Sequence, residues 1–390
     1  MTGIIRQTEI SHAMIKTGIT GQTGFIGTHL FNTLGLMPHI DRIPFEDETF
    51  GDEAKLADFV ASCDAVVHLA ALNRHHDPDL IYNTNLDLVK KLIRACEVSG
   101  SRPHILFASS TQESLDNPYG RSKQEGREMF EAWAARNAAC FSAFIIPNVF
   151  GPFGQPYYNS VVATFCHQLT HGETPRIDQD SEMKLVYVAG LVSEMISRLE
   201  KVQEYRDSGH TECIRVAHTT TMTVSALLNK LEHFKGLYFD HGIMPDLGNV
   251  SDRDLFNTFL CYIDHGSFFP FHLKTHSDHR GSFTELIRLN SGGQVSFSST
   301  RPGITRGNHF HTRKTERFAV IAGQASISIR RTGTAQIHTF HLDGSRPAFV
   351  DMPVWHTHNL TNTGQDELLT VFWINEHYVD EDSDTFFENV

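Results

Sequence analysis

The chain has 390 residues, 40% hydrophobic and 20% charged, which is long enough for two domains and too apolar for a disordered chain. Its formal charge of -13 excludes the basic footprint of a nucleic-acid or anionic-membrane binder, so an anionic ligand must be held by local devices such as helix N-termini. The six cysteines show no CxxC spacing and read as reduced core thiols, residues 1–13 read as a tail with no apolar signal core, and no apolar run is long enough to span a bilayer, so the expected compartment is the cytoplasm.

Ile15–Thr20 has the length and apolarity of a strand, a glycine-rich turn follows, and Phe25–Leu34 carries apolar residues at helical spacing. Gly21, Gly24 and Gly27 allow a sharp turn, a backbone lying against a pyrophosphate, and close packing of helix on strand. His39–Ile43 reads as a second strand ending in Asp41 and Arg42. An acid there takes the adenosine ribose hydroxyls and an arginine takes a 2'-phosphate, and both residues are present. Ala65–Ala71 reads as a buried strand, Leu80–Cys96 as a helix, and His104–Ala108 as a strand ending in Ser109, Ser110 and Thr111. Strands alternating with helices predict an α/β, Rossmann-like, doubly wound parallel sheet with its ligands at the carboxyl ends of the strands.

The next helix starts around Tyr119. Tyr119 and Lys123 stand four apart and share a helix face, where an ammonium lowers the phenol from its usual pKa of about 10 and lets it exchange a proton with a carbonyl oxygen. A hydroxyl from Ser109, Ser110 or Thr111 completes such a site. Gly154–Cys166 reads as a loop entering a helix capped by Asn159 or Ser160; Cys213–Val216 reads as a strand, and Val224–Phe234 and Asp252–Tyr262 as packing helices.

Past Gly266 short alternating segments such as Gln294–Ser298, Phe318–Ile321, Ala325–Ile329 and Leu368–Ile374 predict a small all-β barrel or jelly roll. His309 and His311 alternate onto one strand face, Glu316 follows closely, and His358 falls on an opposing strand, with His356 two residues before it. Three imidazoles and a carboxylate make a site for zinc or another divalent transition metal.

TGQTGFIG, the HLAA strand end, Asn85 in YNTN, and YGRSK preceded by ASS together resemble the extended short-chain dehydrogenase/reductases that act on nucleotide sugars, over residues 14 to about 200. The resemblance implies that Gly21, Gln22, Thr23, Gly24, Phe25, Ile26, Gly27, Arg42, Leu69, Ala70 and Ala71 bind a nicotinamide cofactor together with Tyr119 and Lys123. It makes Ser110, Tyr119 and Lys123 the catalytic residues, and Asn148 in PNVFGPFG, with Asn159, a contact to the sugar nucleotide. Gly303, His309, His311, Glu316 and Gly323, followed by Pro353, His358 and Asn362, resemble the two cupin motifs, with Trp355 where a glycine is usual.

The order of the parts resembles the bifunctional capsule-biosynthesis reductases of the CapF type. That likeness implies a reductase domain over 14–265 and a cupin domain over 266–390, the latter epimerising C3 of a UDP-4-keto-6-deoxy-N-acetylhexosamine. The reductase then reduces C4 with NADPH, or NADH in its place, to UDP-2-acetamido-2,6-dideoxy-L-talose. It also implies a homodimer and a place on the route to N-acetyl-L-fucosamine in capsule or O-antigen. Two other readings are a reductase whose cupin is a metal-stabilised dimerisation module, and a nucleotide-sugar-binding regulator without turnover.

Overall fold

The structure, a computed structural model, describes residues 14–206 and 208–390; the tail at 1–13 lies outside the described residues. By packing, the chain forms two compact units, residues 1–149 with 186–218 and residues 150–185 with 219–390. The change of fold type read near residue 266 therefore lies within the second unit.

The first unit is built on β1 (Ile15–Thr20), α1 (Phe25–Leu34), β2 (Ile40–Ile43), α2 (Glu53–Ala61), β3 (Ala65–His68), α3 (Pro78–Ser99), β4 (His104–Ser110), α4 (Pro118–Asn137), β5 (Phe141–Ile146), α5 (Val188–Leu199) and β6 (Thr211–Arg215). Its six-stranded sheet has the order β2-β1-β3-β4-β5-β6, and every pairing is parallel. Every residue of β3, β4 and β5 is buried, which explains their continuous apolar sequences: both faces of the sheet are covered by helices. The strand order reverses between β1 and β3, so a crevice opens beyond their carboxyl ends.

Helix boundaries follow local chemistry. Asp77 and Asn117 accept backbone N–H bonds as the caps of α3 and α4, Pro78 and Pro118 take first-turn positions where no donor is needed, and Gly100 ends α3 in the left-handed conformation at φ +67°. The sequence pattern extends β3 to Ala71. The strand stops at His68, because residues 69–71 turn across the glycine loop after β1. In the other direction, Ser109 and Ser110 belong to β4, and Thr111–Ser114 forms a 3-10 turn.

The second unit contains helices Val161–Thr170, Val224–Phe234 and Val250–Leu260 and a barrel of two five-stranded antiparallel sheets. One sheet orders Phe271–His272, Ala348–Met352, Glu316–Ala322, Leu368–Ile374 and Gln294–Thr300. The other orders Ile337–Asp343, Gln324–Arg331, His356–Asn362, Thr305–Phe310 and Phe386–Phe387. Val320, Ile327, Ile329, Phe340, Val350, Met352 and Leu360 belong to the barrel's core. Behind the first sheet, Arg317 grips Asp351 through two 2.8 Å bonds and donates to the Gly242 carbonyl at 2.7 Å, while the Tyr238 hydroxyl donates to Asp351 at 2.6 Å. All three side chains are buried, so the bidentate geometry and the added hydrogen bonds are what make the buried charges tolerable.

One expectation needs correction and one alternative is resolved. The cysteines are all free, but they are not all core residues: Cys213 is exposed because it lies on the edge strand β6, and Cys261 is half-buried. Ser160, rather than Asn159, caps the helix after the GPFG loop, accepting from the Ala163 N–H at 3.3 Å. Among the described residues no helix is long and apolar enough to cross a membrane.

Candidate active site and metal centre

The crevice of the parallel sheet is floored by the glycine turn. Gly21 sits at φ +71°, and a Cβ there would lie 2.8 Å from the Ala70 nitrogen, so the loops after β1 and β3 meet only because this position has no side chain. A Cβ on Gly27 would lie 2.2 Å from the Gly21 carbonyl oxygen, so the first turn of α1 can pack against the loop only with glycine there. Gly24 caps α1 without a side-chain bond, and the first turn carries no acidic residue, leaving a helix N-terminus suited to phosphate. Gln22, Thr23, Phe25 and Ile26 belong to this turn, and Leu69, Ala70 and Ala71 form the facing loop.

Arg42 is placed differently from a residue presented at the strand end. Its guanidinium donates to the Phe31 carbonyl at 2.9 Å and stacks 4.1 Å from the centre of the Phe31 ring, on the second half of α1 and away from that helix's N-terminus. Asp41, its neighbour on β2, is exposed.

On the other side of the crevice, α4 carries Tyr119 in its first turn and Lys123 one turn on. Lys123 is buried, its Nζ donates to the Ala108 carbonyl at 2.9 Å, and it lies 5.7 Å from the centre of the Tyr119 ring. Burial pushes the ammonium down to about 8, against an opposing pull from Glu113. His68, buried nearby on β3, is pushed down to about 3 by burial and by Lys123, so it stands as a neutral neighbour, with Nδ1 2.7 Å from the Thr20 hydroxyl.

The three hydroxyls at the end of β4 separate by their bonds. Ser109 donates to Glu113, whose carboxylate Arg127 holds through bonds of 3.0 to 3.2 Å, so Ser109 belongs to a structural network. Ser110 accepts from the Gln112 N–H at 3.1 Å, a bond that uses a lone pair and leaves its proton to give. Thr111 opens the 3-10 turn.

Asn85 is the positioning residue that this arrangement makes visible. Its side chain accepts from the Leu72 N–H at 2.7 Å, donates to the Leu72 carbonyl at 3.1 Å and donates to the Ser122 hydroxyl at 3.1 Å; Ser122 in turn donates to the Tyr119 carbonyl at 2.8 Å. One buried amide therefore ties the loop after β3 to the turn between Tyr119 and Lys123. Asn85→Ala is expected to cost about 1–3 kcal/mol by leaving buried backbone groups unpaired, read as a lower urea midpoint at unchanged slope. Asn148 is exposed at the start of a short strand after β5, and Asn159 is exposed in the other compact unit.

In the barrel, His309, His311, Glu316 and His358 bring one ligand atom each to within 4.8 Å of one another. Strand geometry accounts for this. A bulge at Gly307 and Asn308, both at positive φ, lets strand Thr305–Phe310 approach the His358 carbonyl, which a Cβ on Gly307 would meet at 2.8 Å; the register then sets His309 opposite His358. Trp355 takes the glycine-favoured position at φ +60°, buried and stacked 5.6 Å from Phe310, and its N–H donates to the His311 carbonyl at 2.7 Å. Its ring thus packs into the protein while its backbone braces a candidate ligand.

The donor set fits a divalent cation. Nδ1 of His311 lies 2.6 Å from the Asp384 carbonyl and Nδ1 of His358 lies 3.1 Å from the His356 carbonyl; carbonyls only accept, so Nδ1 carries a proton in both rings and, in the neutral imidazole that binds metal, the Nε2 lone pair points inward. Those two nitrogens lie 3.3 and 3.2 Å from Glu316 Oε2, and all three atoms are buried with no hydrogen-bond partner among the described residues. Three converging buried acceptors need a positive charge between them. Burial pushes the Glu316 carboxyl up and the His311 imidazole down, but their pairing outweighs it, holding Glu316 well below and His311 above its usual range, so in the metal-free cluster a proton supplies the charge that a bound cation would replace. Burial, with His358 and His311 alongside, pushes His309 down to about 4, so Glu316 is ionised and His309 neutral at pH 7, the states that bind metal. His356, by contrast, donates from Nδ1 to the Val354 carbonyl and turns its ring toward His265, outside the cluster.

Taken together, a parallel-sheet dinucleotide fold with a Tyr-x-x-x-Lys helix and a β-barrel carrying a His/Glu cluster define a nicotinamide-dependent oxidoreductase-type chain with a cupin-like second part. Residues 18–212 match the family described as "NAD dependent epimerase/dehydratase family", and residues 276–386 match "Polysaccharide biosynthesis C-terminal domain". The chain is 32% identical over 374 residues to the UDP-2-acetamido-2,6-beta-L-arabino-hexul-4-ose reductase of Pseudomonas aeruginosa, covering 95% of this chain and 98% of that one. Its structure also resembles the capsular polysaccharide assembling protein CapF of Staphylococcus aureus, at 31% identity and TM-score 0.60, covering 96% of this chain and all of that one. A further structure of CapF, with the inhibitor 3-isopropenyl-tropolone, matches at 29% identity and TM-score 0.56 over 96% of this chain and 100% of that one. The chain belongs to the NAD dependent epimerase/dehydratase family and, over nearly its whole length, to the family of the Pseudomonas aeruginosa reductase.

Proposed function

We propose that this chain is a nucleotide-sugar reductase of surface-polysaccharide biosynthesis with a second, epimerising site in its barrel. The observation that carries the reductase reading is the buried Lys123 held beside Tyr119 on α4, next to a glycine turn that can receive a pyrophosphate. NADPH, when bound, supplies hydride to C4 of a UDP-4-keto-6-deoxy-N-acetylhexosamine. The Tyr119 hydroxyl gives a proton to the C4 oxygen, Ser110 donates a hydrogen bond to the same oxygen, and Lys123 stabilises the phenolate left behind. Asn148 and Asn159 are assigned to the sugar nucleotide. By fold type we assign the reductase to 14–265 and the cupin to 266–390, a division made at the sequence seam and not at the borders of the two compact units.

In the barrel His309, His311, Glu316 and His358 would hold zinc or another divalent transition metal, which supplies Lewis acidity toward a ketone oxygen. The hydrogen at C3, next to the C4 ketone, is then the one exchanged, and the product of both steps is UDP-2-acetamido-2,6-dideoxy-L-talose. Incubation of the purified protein with the UDP-4-keto sugar, with and without NADPH and read by NMR, tests both sites: C3 exchange without cofactor, and a C4 alcohol only with it. Reduction with no C3 exchange would favour the second reading, a structural metal. The burial of His311, Glu316 and His358, at 4%, 7% and 3% exposure, is the observation on that side.

We assign NADPH before NADH through Arg42. Release of its guanidinium from Phe31 would be part of cofactor binding, so Arg42→Ala is expected to raise KM for NADPH more than for NADH, and equal effects would leave Arg42 a brace for α1. A homodimer in the cytoplasm completes the reading. The edge strand Gln294–Thr300 supports it, because Val295 and Phe297 face outward at 58% and 75% exposure.

A further inference from the structure

The C-terminal residues return to the metal cluster and touch it at several points. Strand Phe386–Phe387 pairs with Thr305–Phe310 and sets Phe387 opposite His309. Just before that strand, Asp384 is buried at φ +45°, a left-handed conformation that Asp tolerates better than most residues because its short side chain can hydrogen-bond nearby. Its carboxylate accepts from the N–H groups of Thr312, Arg313 and Lys314 at 3.1, 3.0 and 3.1 Å and from the Thr312 hydroxyl at 2.6 Å. Lys314 donates from Nζ to the Ser383 carbonyl at 2.8 Å, and the Arg313 guanidinium pairs with Asp382 at 2.6 Å.

These bonds converge on one place. Residues 312–314 are the loop that joins His311 to the strand carrying Glu316, so the Asp384 carboxylate fixes the spacing between two candidate ligands. The carbonyl of the same residue takes the Nδ1 proton of His311 at 2.6 Å and so turns the Nε2 lone pair toward Glu316. A brace serving only the fold would need neither the carbonyl's aim at the imidazole nor a side chain spent on the interligand loop.

We propose that the segment Ser383–Phe387 is part of the metal centre, with Asp384 the positioning residue that sets the metal-ligating tautomer of His311 and the geometry of its loop. This rests on the metal reading of the barrel given above. Its consequence is that metal affinity depends on a residue that is not itself a ligand.

The test uses the full chain, zinc affinity by competition with a chromophoric chelator, the visible spectrum of the cobalt-substituted protein, and thermal unfolding of the metal-free forms. Asp384→Ala is expected to weaken zinc by about 10- to 100-fold and to change the cobalt bands. Asp384→Asn, which tolerates the left-handed backbone and keeps one acceptor oxygen, should recover much of that loss. Thr312→Val removes a single bond to the carboxylate and should weaken zinc in the same direction, by less, even if Asp384→Ala does not fold. Unchanged zinc affinity in Asp384→Ala, or in Thr312→Val where Asp384→Ala does not fold, together with reduced metal-free stability, would make Asp384 a structural brace and overturn the proposal. A parent chain that takes up no zinc or cobalt would overturn the metal reading itself and this inference with it.

Discussion

Tyr119→Phe should fold, bind reduced cofactor and lose the reduction of its keto sugar by about 10²- to 10⁴-fold, the usual weight of a positioned general acid. The substitution keeps the ring beside Lys123 and removes only the hydroxyl. The pH dependence of the parent follows from the lysine. Lys123 is pushed down to about 8, so its ammonium is present below that value and lost as pH rises through it. Turnover limited by the chemical step should therefore decline above about pH 8, and Lys123→Met should be slow across the whole range. Stopped-flow oxidation of NADPH measures both, and a Tyr119→Phe variant turning over at the parental rate would remove α4 from the chemistry.

His358→Ala is expected to have the second large effect, on the barrel alone. It removes one of the three imidazoles of the cluster, and one of the two whose Nε2 lies within 3.3 Å of the buried Glu316 carboxylate. Zinc content should fall to background, thermal stability should drop, and deuterium incorporation at C3 of the keto sugar in D2O should stop, while Tyr119→Phe still incorporates it. Circular dichroism and NADPH binding near the parental values separate lost chemistry from a collapsed barrel. Exchange at the parental rate in metal-free protein would instead assign the metal a structural role.

Much of this arrangement is legible in the chain because it is local. The apolar runs of β3 to β5, the glycines after β1 and the four-residue step from Tyr119 to Lys123 each report a face or a turn within a few positions. The cluster of His309, His311 and Glu316 is legible for the same reason, and His358 by its place on an opposing strand. What escapes is set by distant partners. Asp384 meets His311 across 73 positions and Tyr238 meets Asp351 across 113, and no periodicity marks either pair. Ser109 and Ser110 look alike in sequence, and only the Glu113–Arg127 pair, brought up by the fold, separates their roles. Arg42 likewise reads as a strand-end cation until Phe31 is seen beneath it.

The path of the chain between its two compact units has a consequence for how the protein is made. Synthesis delivers residues 150–185, which pack in the second unit, before β6 has left the ribosome to close the sheet of the first. The first unit is complete by residue 218, but residues 219–265, which pack on 150–185, complete their contacts only with the barrel, where Asp351 receives the Tyr238 hydroxyl. A gene divided at the 265/266 seam would take from that segment its barrel partners and leave it only residues 150–185 to pack on, and no single cut elsewhere separates the units. The two halves are interleaved in the order of translation, so a nascent chain arrested before its last strands carries an unfinished second unit tethered to a finished first.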